Sequence, residues 1–183
     1  IWRSGPSRAA IRVSKLGAAF MTAAWNGPRW WMFDEREDEV VLRIRPVEAP
    51  GVDAGDAAII SPPTLFAMLG LLRFPEKMPS DLVLFEDGCR FSTRSIDWGG
   101  GAAPLPLRGA LEIEVGSPEA GPSSIRLLDD DGGEIARSML SRFDTVDTLG
   151  SAPGAWPLLP HRVEVRRDAG DRVVMSFDAP VAN

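Results

Sequence analysis

The residues that could do chemistry in this chain are few, and their spacing decides against most reactions. His161 is the single histidine and Cys89 the single cysteine. Ser-His-Asp or Cys-His catalysis would therefore have to run through His161, which sits between Pro160 and Arg162 at the start of a strand-like run. A structural or solvent-facing role is the expectation there. Cys89 has no intrachain partner, and no His or second Cys lies near it in sequence to activate it, so it reads as a packed or edge residue of a strand. Asp129-Asp130-Asp131-Gly132-Gly133-Glu134 resembles the opening of a calcium loop. The bidentate glutamate such a loop needs at its twelfth position is replaced by Leu140, Ser141 or Arg142, depending on which aspartate starts the count, so a hairpin turn is the better reading. Gly99-Gly100-Gly101 lacks the Lys-Ser/Thr pair of a phosphate loop and runs into Pro104-Leu105-Pro106 instead of a helix. The 26 acidic residues fall mostly in turns or on the polar sides of strands, where solvated charge is the default, so paired carboxylates for glycoside hydrolysis are not expected. No catalytic residue, metal or cofactor is expected. Trp30-Trp31 remains: on adjacent strand positions the two indoles leave opposite faces, one buried and the other reaching solvent or a ligand.

The elements that would position these residues are mostly strands. In Glu134 to Asp144, Ile135, Met139 and Phe143 fall on one side and Ser138, Arg142 and Asp144 on the other, the period of two that a half-buried strand requires. Ile125 to Leu128 precedes it across the Asp/Gly turn, giving a long antiparallel hairpin. Upstream, Arg8–Leu16, Ala18–Trp25, Arg29–Phe33 and Val40–Val47 form four strands of a meander. Leu105 to Val115 alternates most cleanly, with Leu105, Leu107, Leu111, Ile113 and Val115 opposed to Arg108, Glu112 and Glu114. Val163 and Val165, then Val173, Met175 and Phe177, continue the pattern to the end of the chain. One stretch breaks it. Ser61-Pro62-Pro63 offers a cap and first-turn prolines, and Thr64 to Leu72 places Leu65, Phe66, Met68, Leu69 and Leu72 at helical spacing with almost no polar side. A helix that apolar must be enclosed, either as core or as the wall of an apolar cavity.

At 183 residues the chain suits one domain. Its net charge of −6 argues against nucleic acid, whose phosphates call for clustered Lys and Arg. No run of 18 or more apolar residues is present, so no transmembrane helix is expected. A broad apolar strand face with a single visible helix to cover it is the one positive functional sign, because spare concave apolar surface suits a lipid tail.

The succession Arg12-Val13, Trp30-Trp31-Met32-Phe33, Pro62-Pro63-Thr64-Leu65, Leu127 to Gly132, Arg137-Ser138, Leu140 to Phe143 and Leu159 to Val163 resembles the LolA/LolB-like outer-membrane lipoprotein-sorting superfamily, in its bacterial lipoprotein-like members. The resemblance implies a mainly β (α+β) fold, an antiparallel open half-barrel of about ten strands wrapped round one or more short helices. It implies a single domain over residues 1–183, lacking an N-terminal segment and a C-terminal strand of the family pattern. It implies non-enzymatic binding of lipid or lipoprotein acyl chains in the periplasm or cell envelope, by a monomer whose membrane association would come from an anchor outside this chain. The ligand lining is then expected from Leu65, Phe66, Met68, Leu69 and Leu72 on the helix. Leu111, Ile113, Met139, Phe143, Val163, Val165, Met175 and Phe177 would form the concave wall. The alternative is a structural or interaction domain whose apolar face is simply its core.

Overall fold

A computed structural model describes residues 2–3, 8–15, 18–26, 29–35, 40–46, 61–71, 79–96, 104–116, 121–145, 158–167, 170 and 172–176. The chain divides into two compact units, residues 1–65 with 95–108 and residues 66–94 with 109–183.

The first unit holds a five-stranded antiparallel meander in chain order: β1 (Trp2–Arg3), β2 (Arg8–Lys15), β3 (Ala18–Asn26), β4 (Arg29–Asp34) and β5 (Val41–Pro46). Register aligns Ile11 with Ala23 and Ala23 with Met32, while Trp25 pairs with Trp30, so these five share one face; all are buried. The opposite face carries Trp31 and Phe33, whose rings meet edge-on at 5.3 Å. Leu42 pairs with Phe33 and Ile44 with Trp31, and both aliphatics are about half exposed on the edge strand. The two adjacent indoles thus part as alternation requires: Trp30 is buried and Trp31 half-buried.

The helix α1 (Pro62–Met68) opens with Ser61 in the capping position, its carbonyl accepting the Leu65 N–H at 2.8 Å. The Ser61 and Thr64 hydroxyls bond each other at 2.9 Å and are buried. Two prolines in the first turn cost nothing, because their missing N–H groups have no intrahelical acceptor there. The helix is shorter than its apolar pattern suggests. Gly70 adopts a left-handed φ of +78°, its N–H bonds the Ala67 carbonyl at 2.9 Å, and the Leu71 N–H bonds that of Phe66 at 3.1 Å. That pair of bonds is a Schellman stop, which glycine makes without a steric penalty.

The second sheet runs β12-β11-β10-β9-β8-β7-β6, every neighbour being adjacent in sequence. Its strands are β6 (Val83–Phe85), β7 (Gly88–Ile96), β8 (Leu105–Val115), β9 (Pro122–Leu128), β10 (Glu134–Thr145), β11 (Leu158–Arg167) and β12 (Arg172–Ser176). The Asp129 to Gly133 turn joining β9 to β10 turns its carboxylates onto backbone. Asp129 Oδ1 accepts from the Asp131 and Gly133 N–H groups at 3.0 and 2.6 Å, and Asp130 accepts from the Gly109 N–H at 2.9 Å. This is the hairpin turn expected from the sequence, with Gly132 at a φ of +85°. Glycine is also required at position 88, where a Cβ would lie 2.1 Å from the Val115 carbonyl oxygen.

Candidate ligand-binding face

Within the second unit, pairing sorts the sheet residues into two faces. Ile113, Ile125, Ser138, Val165 and Val173 form one cross-strand row, flanked by Leu111, Leu127 and Ala136 on one side and Leu140, Val163 and Met175 on the other. Of these, Leu111, Ile113, Ile125, Leu127, Ala136, Ser138 and Val163 are fully buried. Phe66, Met68 and Leu69 are buried as well. The chain that follows them comes down on this face: a Cβ built on Gly70 would stand 2.6 Å from Leu140 Cδ2 and 3.7 Å from the Pro160 ring. No side chain larger than hydrogen fits at Gly70 without moving Leu140.

Part of the predicted lining is brought together on this face. Leu111, Ile113, Val163, Val165 and Met175 share the face, Met175 half-buried towards the β12 edge. Leu65 is half-buried on the helix. Leu72 and Phe177 lie outside the described residues. One placement on β10 differs from expectation. Met139 pairs with Ser124 and Glu164, which puts it on the opposite, charged face at 45% exposure. The cause is a β-bulge between Glu134 and Ala136, with the extra residue Ile135 unpaired; the even-numbered Ala136, Ser138 and Leu140 then take the inner face. Phe143 pairs with Pro160, the residue that stands with Leu140 against Gly70, and lies over Gly121, where a Cβ would be 2.8 Å from its ring. Sequence reading also passed over Ile125, Leu127, Ala136, Ser138 and Leu140 as members of this face. Counting outward from the Asp/Gly turn finds Leu127 and Ile125, but the small side chains of Ala136 and Ser138 give no hydrophobic signal.

The other face of the same sheet is ionic. Arg126 bridges Glu112 at 2.7 Å and Glu134 at 3.0 Å, and Arg137 reaches Glu134 at 2.6 Å. The hydrogen bond from Arg137, helped by the charge of both arginines, holds the Glu134 carboxyl below its ordinary range despite some desolvation. Glu164 lies between Arg172 and Arg166, each at 2.7 Å, and their hydrogen bonds pull its pKa down to about 2. A groove of about 420 Å³ is lined by Asp81, Ser92, Arg94, Ala110, Leu128, Asp129 and Gly132; it shares no residue with the predicted lining. Among the described residues no three His, Cys, Asp or Glu side chains cluster as a metal site would need, and no helix is long and apolar enough to cross a membrane. His161 Nε2 stands 3.8 Å from Asp144 Oδ2, beyond hydrogen-bonding distance.

A scan of family models finds no match, and no curated protein matches the sequence. Solved structures do match. A LolA superfamily protein from Nitrosomonas europaea aligns over 98% of this chain and 74% of its own, at 13% identity and a TM-score of 0.50. The fold is LolA-like. A protein domain from Vibrio parahaemolyticus described as outer-membrane lipoprotein-sorting aligns over 93% of this chain and 75% of its own, at 8% identity and a TM-score of 0.36. The LolA-like fold agrees with the resemblance drawn from the strand and turn pattern: mainly β, two antiparallel sheets and one short helix among the described residues. At this identity the likeness speaks for the fold and leaves the chemistry to the side chains of this chain.

Proposed function

We propose that this chain is a non-enzymatic protein of the bacterial cell envelope that binds acyl chains on the apolar face of its seven-stranded sheet. The observation that carries the reading is the pairing of a LolA-like fold with a wholly apolar, buried run, Phe66 to Leu69, whose next residue, Gly70, lies against Leu140 and Pro160. Affinity would come from hydrophobic burial, about 0.8 kcal/mol for each methylene removed from water, less the cost of association. The protein would act as a monomer in the periplasm.

A second reading is favoured by the completeness of burial at Phe66, Met68, Leu69, Leu111, Ile113 and Val163. On that reading the face is a filled core, and the chain is a structural or interaction domain without cargo. Titration with a fluorescent fatty-acyl probe separates the two. Acyl binding predicts saturable enhancement that Leu69→Asp abolishes while the far-ultraviolet spectrum stays that of a folded β protein. Absence of binding by the unaltered chain would leave the core reading in possession.

A further inference from the structure

The central row of the apolar face contains one residue that does not belong in a core. Ser138 stands between Ile125 on β9 and Val165 on β11, with Ile113 and Val173 completing the row. It is fully buried, and its hydroxyl has no hydrogen-bond partner among the described residues. Burying a hydroxyl without a partner is unfavourable, and valine, the residue at positions 165 and 173 of the same row, would fill the site with no such penalty. A lone donor in the middle of an apolar face is the usual build of a lipid site, where hydrocarbon surface supplies affinity and one polar group fixes orientation.

Resting on the acyl-binding reading above, we infer that the Ser138 hydroxyl donates a hydrogen bond to the carbonyl oxygen of an ester-linked acyl chain. The alkyl chain lies across Val165 and Val163 towards Val173 and Met175 on β12. From β10 to that edge is two strand spacings, about 10 Å. Val173 is half exposed and Met175 half-buried there, so the row runs from a dry centre to an open edge. An ester fits better than a free fatty acid. The residues that pair directly with Ser138 are aliphatic, and one neutral hydroxyl does not offset the cost of desolvating a carboxylate. Entry requires the Phe66 to Gly70 segment to move off Leu140, the neighbour of Ser138 two positions along the same strand.

The test compares three fluorescent probes on the full chain and on Ser138→Ala: cis-parinaric methyl ester, cis-parinaric acid and diphenylhexatriene, which has no acceptor. The unaltered chain binds the ester more tightly than the acid. Ser138→Ala weakens ester binding about five- to tenfold, as loss of one neutral hydrogen bond does, leaves diphenylhexatriene binding unchanged, and melts no lower than the parent. An equal effect on ester and hydrocarbon, or none on either, overturns the assignment of Ser138 while acyl binding stands. Tighter binding of the acid overturns the ester. Failure of the unaltered chain to bind any of the three removes the acyl-binding reading itself, and this inference with it.

Discussion

The two faces of the seven-stranded sheet are built from the same strands and held by different physics. On one, Leu111, Ile113, Ile125, Leu127 and Val163 are shut away from water. On the other, Glu112, Arg126, Glu134 and Arg137 form a chain of ion pairs whose members remain partly exposed. Burial of the first face supplies stability that neither salt nor pH screens. Ion pairs of the second contribute little each, because solvent competes for both charges. The contrast teaches where a ligand could matter. Only the apolar face has enough buried surface, and a misfit within it at Ser138, for an added hydrocarbon to change the balance.

Substitutions that fall on one face only can break this contrast. The largest effect is expected from Leu111→Ala, which empties a fully buried site on the apolar face and should cost about 2 to 5 kcal/mol in denaturant unfolding. A loss below about 1 kcal/mol would mean that this face is not close-packed. Gly70→Val comes next. Its left-handed backbone disfavours a branched side chain by about 1 to 3 kcal/mol, and its Cβ also meets Leu140. A melting temperature equal to that of the parent would show that the cover does not come down where described.

On the charged face the effect is local and is read as a titration. Glu164 should protonate near pH 2 instead of the ordinary 4.5, and Arg172→Ala should raise that midpoint, as followed by carboxyl carbon NMR. Because the folded pKa is the lower one, the stabilisation is present above about pH 4.5 and lost as pH falls through about 2. A midpoint at 4.5 in the unaltered chain would remove the arginine clamp. Smallest of all is Met139→Gln, expected to change stability by no more than about 0.5 kcal/mol because the side chain is on the charged, exposed face. A large loss there would restore Met139 to the core and reverse the face assignment of β10.

How far the sequence could be read is best seen by setting β8 beside β10. In β8 large aliphatics alternate with glutamates, and Leu111 and Ile113 lie inside as the pattern says. In β10 the inner positions are Ala136, Ser138 and Leu140, while Met139 is outside. Hydrophobicity points the wrong way there, and one bulge residue shifts the alternation by one position, which exchanges the faces. The strands, their hairpins and the buried apolar helix were legible because turn chemistry and periodicity are local. The end of the helix was not read, because the apolar pattern runs on to Leu72 past Gly70, whose left-handed turn stops the helix at Met68. The Ser138 row was not legible, because it exists only once five strands have paired.

The most direct measurement is native mass spectrometry of the chain purified from a bacterial envelope fraction, followed by solvent extraction of whatever it carries. The account predicts a bound species of lipid mass that yields ester-linked acyl chains on extraction. Protein of apo mass alone, with no uptake of an acyl ester offered in excess, would contradict it.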